Sequence, residues 1–320
     1  MKTLGIDLGG TKIAIGIVEN GNILVQKQLP TPRINYKTVL HTIISEAKNL
    51  LFFHKDVVAV GLGLPGIIDY KSGKMLFASN LPFMQNASIT KDIEEALGYP
   101  VFIENDAKAA GFAEHLYGAA KDLDSSMFIT ISTGIGGGIF IGDKIIRGHH
   151  GTAGEVGHIP IKFDGPKCSC GGRGCWEAMA SGTAISKSLS LMFEQDISTK
   201  EVFALAKKDN IMALTVINNA AEISGQALAI LQKIFDPEVF VIGGGVSKVG
   251  TFYLNKLQKA ANYYSENFPS PLIIAAQLST NAGLIGAAAV AEVAMKKLYD
   301  RGIILTDSME VEATNYTYKH

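Results

Sequence analysis

Two stretches of this chain follow one plan. Leu4-Gly5-Ile6-Asp7-Leu8-Gly9-Gly10-Thr11-Lys12-Ile13 continues to Val18, and Phe128-Ile129-Thr130-Ile131-Ser132-Thr133-Gly134-Ile135-Gly136-Gly137-Gly138 continues to Ile141. Each reads as strand, glycine-rich turn, strand. A second turn follows in both, Asn20-Gly21 in one and Gly142-Asp143 in the other, and leads into a third apolar run starting at Ile23 or Ile145. The plan predicts an internal duplication, carried by pattern more than by identity. Between the two copies helical and strand patterns alternate. Residues 38–51 and 89–97 have helical spacing, 57–62 and 101–103 are buried-strand runs, and 107–117 is again helical. Later, 211–235 reads as one long helix ended by Pro237, followed by the strand 239–242 and the turn Gly243-Gly244-Gly245. The expectation is an α/β fold in two related halves, dividing near residues 112–117.

A length of 320 residues suffices for two domains with a core each. With a formal net charge of −1 and scattered charged residues, nothing marks a nucleic-acid or anionic-membrane partner, so small-molecule chemistry is expected. Asp7 falls where a secretory signal needs an apolar core, which predicts a cytoplasmic protein. The uncharged stretch 267–291 contains Pro269, Pro271, Gln277 and Asn281. It reads as strand, loop and buried helix, and no membrane span is expected.

All three cysteines, Cys168, Cys170 and Cys175, sit in one glycine-rich loop, with His158 shortly before it. Three thiolates and an imidazole make a closed tetrahedral zinc shell. No coordination position remains for substrate, so the expected role is structural. Glu155 and Glu177 bracket the cluster.

Glycine-rich turns between paired strands let backbone N–H groups converge on phosphate oxygens, because no Cβ blocks the approach. In the first turn Asp7 offers a carboxylate for a magnesium shell and Thr11 a hydroxyl for phosphate, while Lys12 either assists or faces solvent. Ser132 and Thr133 offer hydroxyls in the second. Neither turn has P-loop or dinucleotide-fingerprint spacing. Between the copies, Glu104-Asn105-Asp106-Ala107 ends a strand where a helix begins. Asn105 or Asp106 is a helix N-cap on one reading. On the other, the Asp106 carboxylate accepts a proton from an attacking hydroxyl during phosphoryl transfer.

In order along the chain come Asp7-Leu8-Gly9-Gly10-Thr11-Lys12, Gly63-Leu64-Pro65-Gly66, Glu104-Asn105-Asp106-Ala107, Ser132-Thr133-Gly134, Gly151-Thr152-Ala153-Gly154-Glu155-Val156-Gly157-His158, and the cysteine loop through Glu177. This series resembles the ROK family (repressors, open reading frames and kinases), most closely its bacterial glucokinase-like members. The resemblance implies an α/β fold of duplicated actin-like ATPase (ribonuclease H-like) domains with a cleft between them. It implies a small domain of residues 1–113 plus 297–320 and a large domain of 114–296 carrying the zinc loop. It further implies ATP-dependent phosphorylation of a hexose 6-hydroxyl, with D-glucose first and N-acetylmannosamine, N-acetylglucosamine, mannose or fructose as alternatives. By the same resemblance Asp106 is the base. Asn105, Asp106, Glu155, His158 and Glu177 contact sugar, and His158, Cys168, Cys170 and Cys175 bind zinc. Asp7, Gly9, Gly10, Thr11, Lys12, Thr133, Gly134 and Gly244 serve ATP and its magnesium. Family members are commonly dimers or tetramers, so a homo-oligomer is expected.

Three positions depart from the commonest pattern. Lys108 replaces a small or amide residue, Ser169 replaces a glycine in the zinc loop, and the loop from Asn80 to Gln85 lacks a tryptophan. The first and third leave the sugar open. The different-class alternative is a non-catalytic sugar sensor akin to the family's repressors, whose DNA-reading module has no counterpart ahead of the first strand.

Overall fold

The computed structural model describes residues 1–78, 81–246 and 249–302; Asn80 and the expected 303–320 part of the small domain lie outside the described residues. In chain order the elements are β1 (Lys2–Leu8), β2 (Lys12–Glu19), β3 (Asn22–Pro30), α1 (Tyr36–Phe53), β4 (Ala59–Leu64), β5 (Ile67–Asp69), β6 (Lys74–Phe77), α2 (Ile89–Leu97), β7 (Val101–Asn105) and α3 (Asp106–Tyr117). There follow β8 (Ser125–Ile131), β9 (Ile135–Ile141), β10 (Lys144–Ile145), α4 (Trp176–Ala180), α5 (Gly182–Phe193), α6 (Thr199–Ala206), α7 (Ile211–Phe235), β11 (Val239–Gly243), α8 (Thr251–Ser265), β12 (Ile273–Ala275) and α9 (Ala282–Asp300). Among the described residues no helix is long and apolar enough to cross a membrane.

The chain folds as two compact units. Of the described residues, the first holds those of Met1–Tyr117, the short segment Arg147–Thr152 and those from Thr280 to Gly302; the second holds Gly118–Ile146 and those of Ala153–Ser279. The duplication read from the sequence is present as topology. One sheet has the order β3-β2-β1-β4-β7, the other β10-β9-β8-β11-β12. In both, the first three strands of the plan pair antiparallel and the last two join in parallel.

Strand alternation explains the first unit's core. Leu4, Ile6 and Leu8 of β1 point to one face, where they join Val39, Ile43 and Ala47 of α1 in a fully buried cluster. Thr3, Gly5 and Asp7 point to the other face, against α9: Thr3 Oγ1 donates to the Ala288 carbonyl at 3.1 Å, and a Cβ at Gly5 would lie 2.5 Å from the Leu284 carbonyl. A side chain at Gly61 of β4 would likewise collide with the Ala287 carbonyl. Glycines on two adjacent strands thus let a small-residue helix press directly on the sheet.

That packing moves the domain boundary. The expected return to the small domain at residue 297 is replaced by a return at 280, because the whole of α9, whose face from Ala282 to Ala291 is buried, packs on β1, β4 and α3. The first unit's other edge is at Tyr117, four residues beyond the expected 113. In the second unit Met127, Ile129, Ile131, Trp176, Leu189, Ile217 and Leu228 form a separate core between the sheet and helices α4 to α8.

Candidate functional site

In the first unit, parallel pairing sets Asp7 of β1 level with Gly63 of β4, and Gly63 level with Glu104 of β7. The carboxyl ends of three adjacent strands therefore carry the glycine turn after Asp7 and the Asn105-Asp106 pair, the edge where α/β sheets place their ligands. Gly9 N–H closes the first turn on the Lys12 carbonyl at 2.9 Å, and among the described residues the N–H groups of Gly10 and Thr11 have no protein partner. Thr31 and Arg33 clasp this turn from outside. Thr31 Oγ1 donates to the Gly9 carbonyl at 2.7 Å, and the Arg33 guanidinium donates to that of Gly10 at 3.1 and 3.3 Å. Thr11 and Lys12 are exposed. Burial pushes the Asp7 carboxyl up to about 6, with Lys12 pulling it partly back. Desolvation of this kind is relieved when a cation arrives.

The base and cap readings of the second motif are compatible. Asn105 Oδ1 accepts from the Lys108 N–H at 3.1 Å, which is the N-cap bond, while Asp106 occupies the first helical position and its Oδ1 accepts from the Ala107 N–H at 2.8 Å. Asn105 Nδ2 donates to the Gly66 carbonyl at 3.0 Å, where a positive φ of 83° makes glycine the favoured residue. Beneath them Glu104 is fully buried. Its carboxylate accepts from Arg147 Nε at 2.7 Å, from the Asn105 N–H at 3.0 Å and from the Tyr70 hydroxyl. Lys108 is 1% exposed and donates to the Gly151 carbonyl at 2.6 Å. Arg147 and Gly151 were not read as site residues from the sequence. The available signal was a glutamate inside a buried strand, which demands a cation, but nothing local names which one.

In the second unit, the Ser132-Gly134 turn follows β8 as Gly9-Thr11 follows β1. Ser132 N–H donates to the Gly134 carbonyl at 2.8 Å, and again two consecutive N–H groups, those of Thr133 and Gly134, have no protein partner among the described residues. Gly244, with φ of 85°, follows the adjacent strand β11, and a side chain there would collide with the Ile131 carbonyl. The Glu155-His158 segment lies along β9. Side chains at Gly154 and Gly157 would strike the Gly137 and Ile135 carbonyls, so these glycines permit the approach. Glu155 precedes a short turn of 3₁₀ helix, Val156–His158, and makes no cap bond to it.

His158, Cys168, Cys170 and Cys175 converge, their ligand atoms all lying within 4.8 Å of one another. Cys168 Sγ is 3.5 Å from His158 Nδ1, and Cys170 Sγ is 3.7 Å from Cys175 Sγ. A tetrahedron with metal–sulfur bonds of about 2.3 Å and metal–nitrogen bonds of about 2.0 Å has edges of roughly 3.8 and 3.5 Å. The donor set fits a tetrahedral ion. The Gly172 N–H and the Cys168 thiol lower the Cys170 thiol, whereas burial, then the neighbouring thiols, push Cys175 up to about 12. Glu177, two residues after Cys175, turns its carboxylate to the Ile135 N–H at 2.8 Å.

Each unit therefore gathers its own predicted residues: Asp7, the first turn, Asn105 and Asp106 in one; the second turn, Gly244, Glu155, Glu177 and the four metal-type ligands in the other. A model of the ROK family matches residues 3–294. The chain is 36% identical over 310 residues to a glucokinase of Streptomyces coelicolor, covering 90% of this chain and 97% of that one. Over 260 residues it is 37% identical to an N-acetylmannosamine kinase of Vibrio vulnificus, covering 81% and 87%. Its structure resembles that of a ROK family glucokinase from Streptomyces griseus in complex with glucose and AMPPNP, with a TM-score of 0.79 and 35% identity over 91% of this chain and 99% of that one.

Proposed function

The chain belongs to the ROK family, and from that membership we propose that it is an ATP-dependent glucokinase transferring the γ-phosphoryl group to the 6-hydroxyl of D-glucose. It is a sugar kinase on the duplicated actin-like ATPase fold. The observation that carries the finer reading is the register that sets Asp7 level with Glu104, the residue directly before the Asn105-Asp106 pair, at one sheet edge. A phosphate-side carboxylate and an acceptor-side carboxylate then share one rigid support.

In this reading Asp106 accepts the proton of the sugar hydroxyl as it attacks. It stands at the first turn of α3, where its Oδ1 accepts from the Ala107 N–H at 2.8 Å. Asn105, with one amide proton committed to Gly66, has the other for a sugar oxygen. By family membership Glu155, Glu177 and His158 are also read as sugar-contact residues, the last through Nε2 once Nδ1 is given to metal. The N–H pairs without a protein partner among the described residues, Gly10 with Thr11 and Thr133 with Gly134, receive phosphate oxygens, Gly9 shapes the first turn through its bond to the Lys12 carbonyl, and Gly244 leaves room for the nucleoside. Lys12 adds a cation near the phosphates. Asp7 would hold the water shell of magnesium, which neutralises charge on the β- and γ-phosphates. His158, Cys168, Cys170 and Cys175 would hold zinc, which supplies folding of the loop that carries Glu155 and Glu177.

The test is ADP release from magnesium-ATP across glucose, mannose, fructose, N-acetylglucosamine and N-acetylmannosamine. Glucose should give the highest kcat/KM. A higher value for N-acetylmannosamine would reassign the acceptor within the family, and tight binding of a sugar without turnover would return the sensor reading.

A further inference from the structure

Glu177 lies half-buried in the first turn of α4. Oε2 accepts the backbone N–H of Ile135 at 2.8 Å. That N–H closes the Ser132-Gly134 turn at its downstream end. The seat exists because residue 134 is glycine: any Cβ there would collide with the carboxylate. At the turn's upstream end the Ser132 carbonyl accepts from the N–H of Gly182, the first residue of α5, at 2.7 Å. The turn is thus clamped from both sides by consecutive helices, and the N–H groups between the clamps, Thr133 and Gly134, have no protein partner among the described residues. α4 is itself a fixed support. Trp176 is fully buried, its indole N–H donates to Ser224 Oγ on α7 at 2.9 Å, and the helix starts directly from Cys175.

A carboxylate beside a phosphate site is unfavourable on charge alone. The one at Glu177 is committed by one oxygen to a main-chain donor that would otherwise be unsatisfied, which gives it a purpose other than sugar contact. We propose that Glu177 is a positioning residue for the phosphate turn. It holds Ile135 and Gly134 in the one conformation that leaves two consecutive N–H groups converging on an anion, and it does so from a helix anchored at the metal loop. The inference rests on reading this turn as a nucleotide-phosphate grip. Oε1 remains for the sugar, so a single side chain serves both substrates.

The experiment is calorimetric titration of magnesium-ADP, and separately of glucose, into the wild-type protein and the variants Glu177→Ala, Glu177→Asp and Glu177→Gln, with hydrogen exchange of the Ile135 amide followed by NMR. Gln keeps an acceptor at the same reach, whereas Asp keeps the charge but withdraws it by one methylene. Magnesium-ADP binding should weaken about tenfold in the Ala and Asp variants and stay within about threefold in the Gln variant, as expected for loss of one charge-assisted hydrogen bond. The Ile135 amide should exchange faster in Ala and Asp only. If the Ala variant does not fold, Asp against Gln carries the same comparison. Wild-type magnesium-ADP affinity in Ala or Asp with only glucose binding lost would overturn the proposal, leaving Glu177 a sugar ligand. A wild-type protein that does not bind magnesium-ADP would instead overturn the phosphate reading itself, and this inference with it.

Discussion

The carboxylate of Glu104, which has no exposed surface, is held by the guanidinium of Arg147 through Nε at 2.7 Å and Nη2 at 2.6 Å. Arg147 begins a six-residue segment of the first unit, Arg147–Thr152, that lies in sequence between two parts of the second. The segment is pinned a second time by Lys108 on Gly151. Both pins flank Asn105-Asp106, so the proposed base and this segment are built from one network.

Removing the cation would strand a buried charge. Arg147→Met should lower unfolding free energy by about 3 kcal/mol, at the low end for a broken buried pair because the Arg side chain is partly exposed. Chemical denaturation measures it. Loss below about 1 kcal/mol would mean that Tyr70 and the Asn105 N–H suffice for Glu104.

Asp7 carries a pH dependence of definite sign. Its carboxyl is raised from 3.8 to about 6 by burial. The stability tied to its protonated form is therefore fully present below the unfolded value and is lost as pH rises through the folded one, between about 4 and 6. Asp7→Asn should remove this component and make the ligand-free protein more stable than wild type at pH 7, on the order of 2 kcal/mol. Turnover should fall with it, since the amide cannot hold a cation's water shell as a carboxylate does. Equal stability of the two proteins across pH 4 to 7 would contradict the burial argument.

Elemental analysis should find about one zinc per chain. Cys170 is the exposed member of the proposed ligand set, and Cys170→Ser should release metal to a chelator about tenfold faster or more without disturbing the core. A purified, active, metal-free protein would refute the metal clamp.

Much of this organisation is readable from residues. The repeated strand-turn-strand plan predicts two sheets of the same order, the helix at 211–235 matches its apolar spacing, and the cysteine spacing brings the four ligand atoms together. These are local signals, carried by periodicity or by short loops. Contacts between residues far apart in sequence are not readable. Glu104 demands a cation, but Arg147 is 43 residues away, and Glu177 meets Ile135 across 42. The return of α9 at 280 rather than 297 has the same origin. Its small residues signal close packing, yet only the fold shows that Gly5 and Gly61 are the surface receiving them.

The proposed reaction is phosphoryl transfer to a sugar hydroxyl with Asp106 as base. Its most direct test is ³¹P NMR of the products formed from magnesium-ATP and glucose by wild type and by Asp106→Asn, with glucose binding to both followed by calorimetry. Wild type should yield ADP and glucose 6-phosphate in equal amounts. The variant should bind glucose with little change while turnover falls by roughly 10³-fold or more, in the upper part of the range for a general base. ADP and inorganic phosphate formed without sugar phosphate, or near-normal turnover by the variant, would contradict the account.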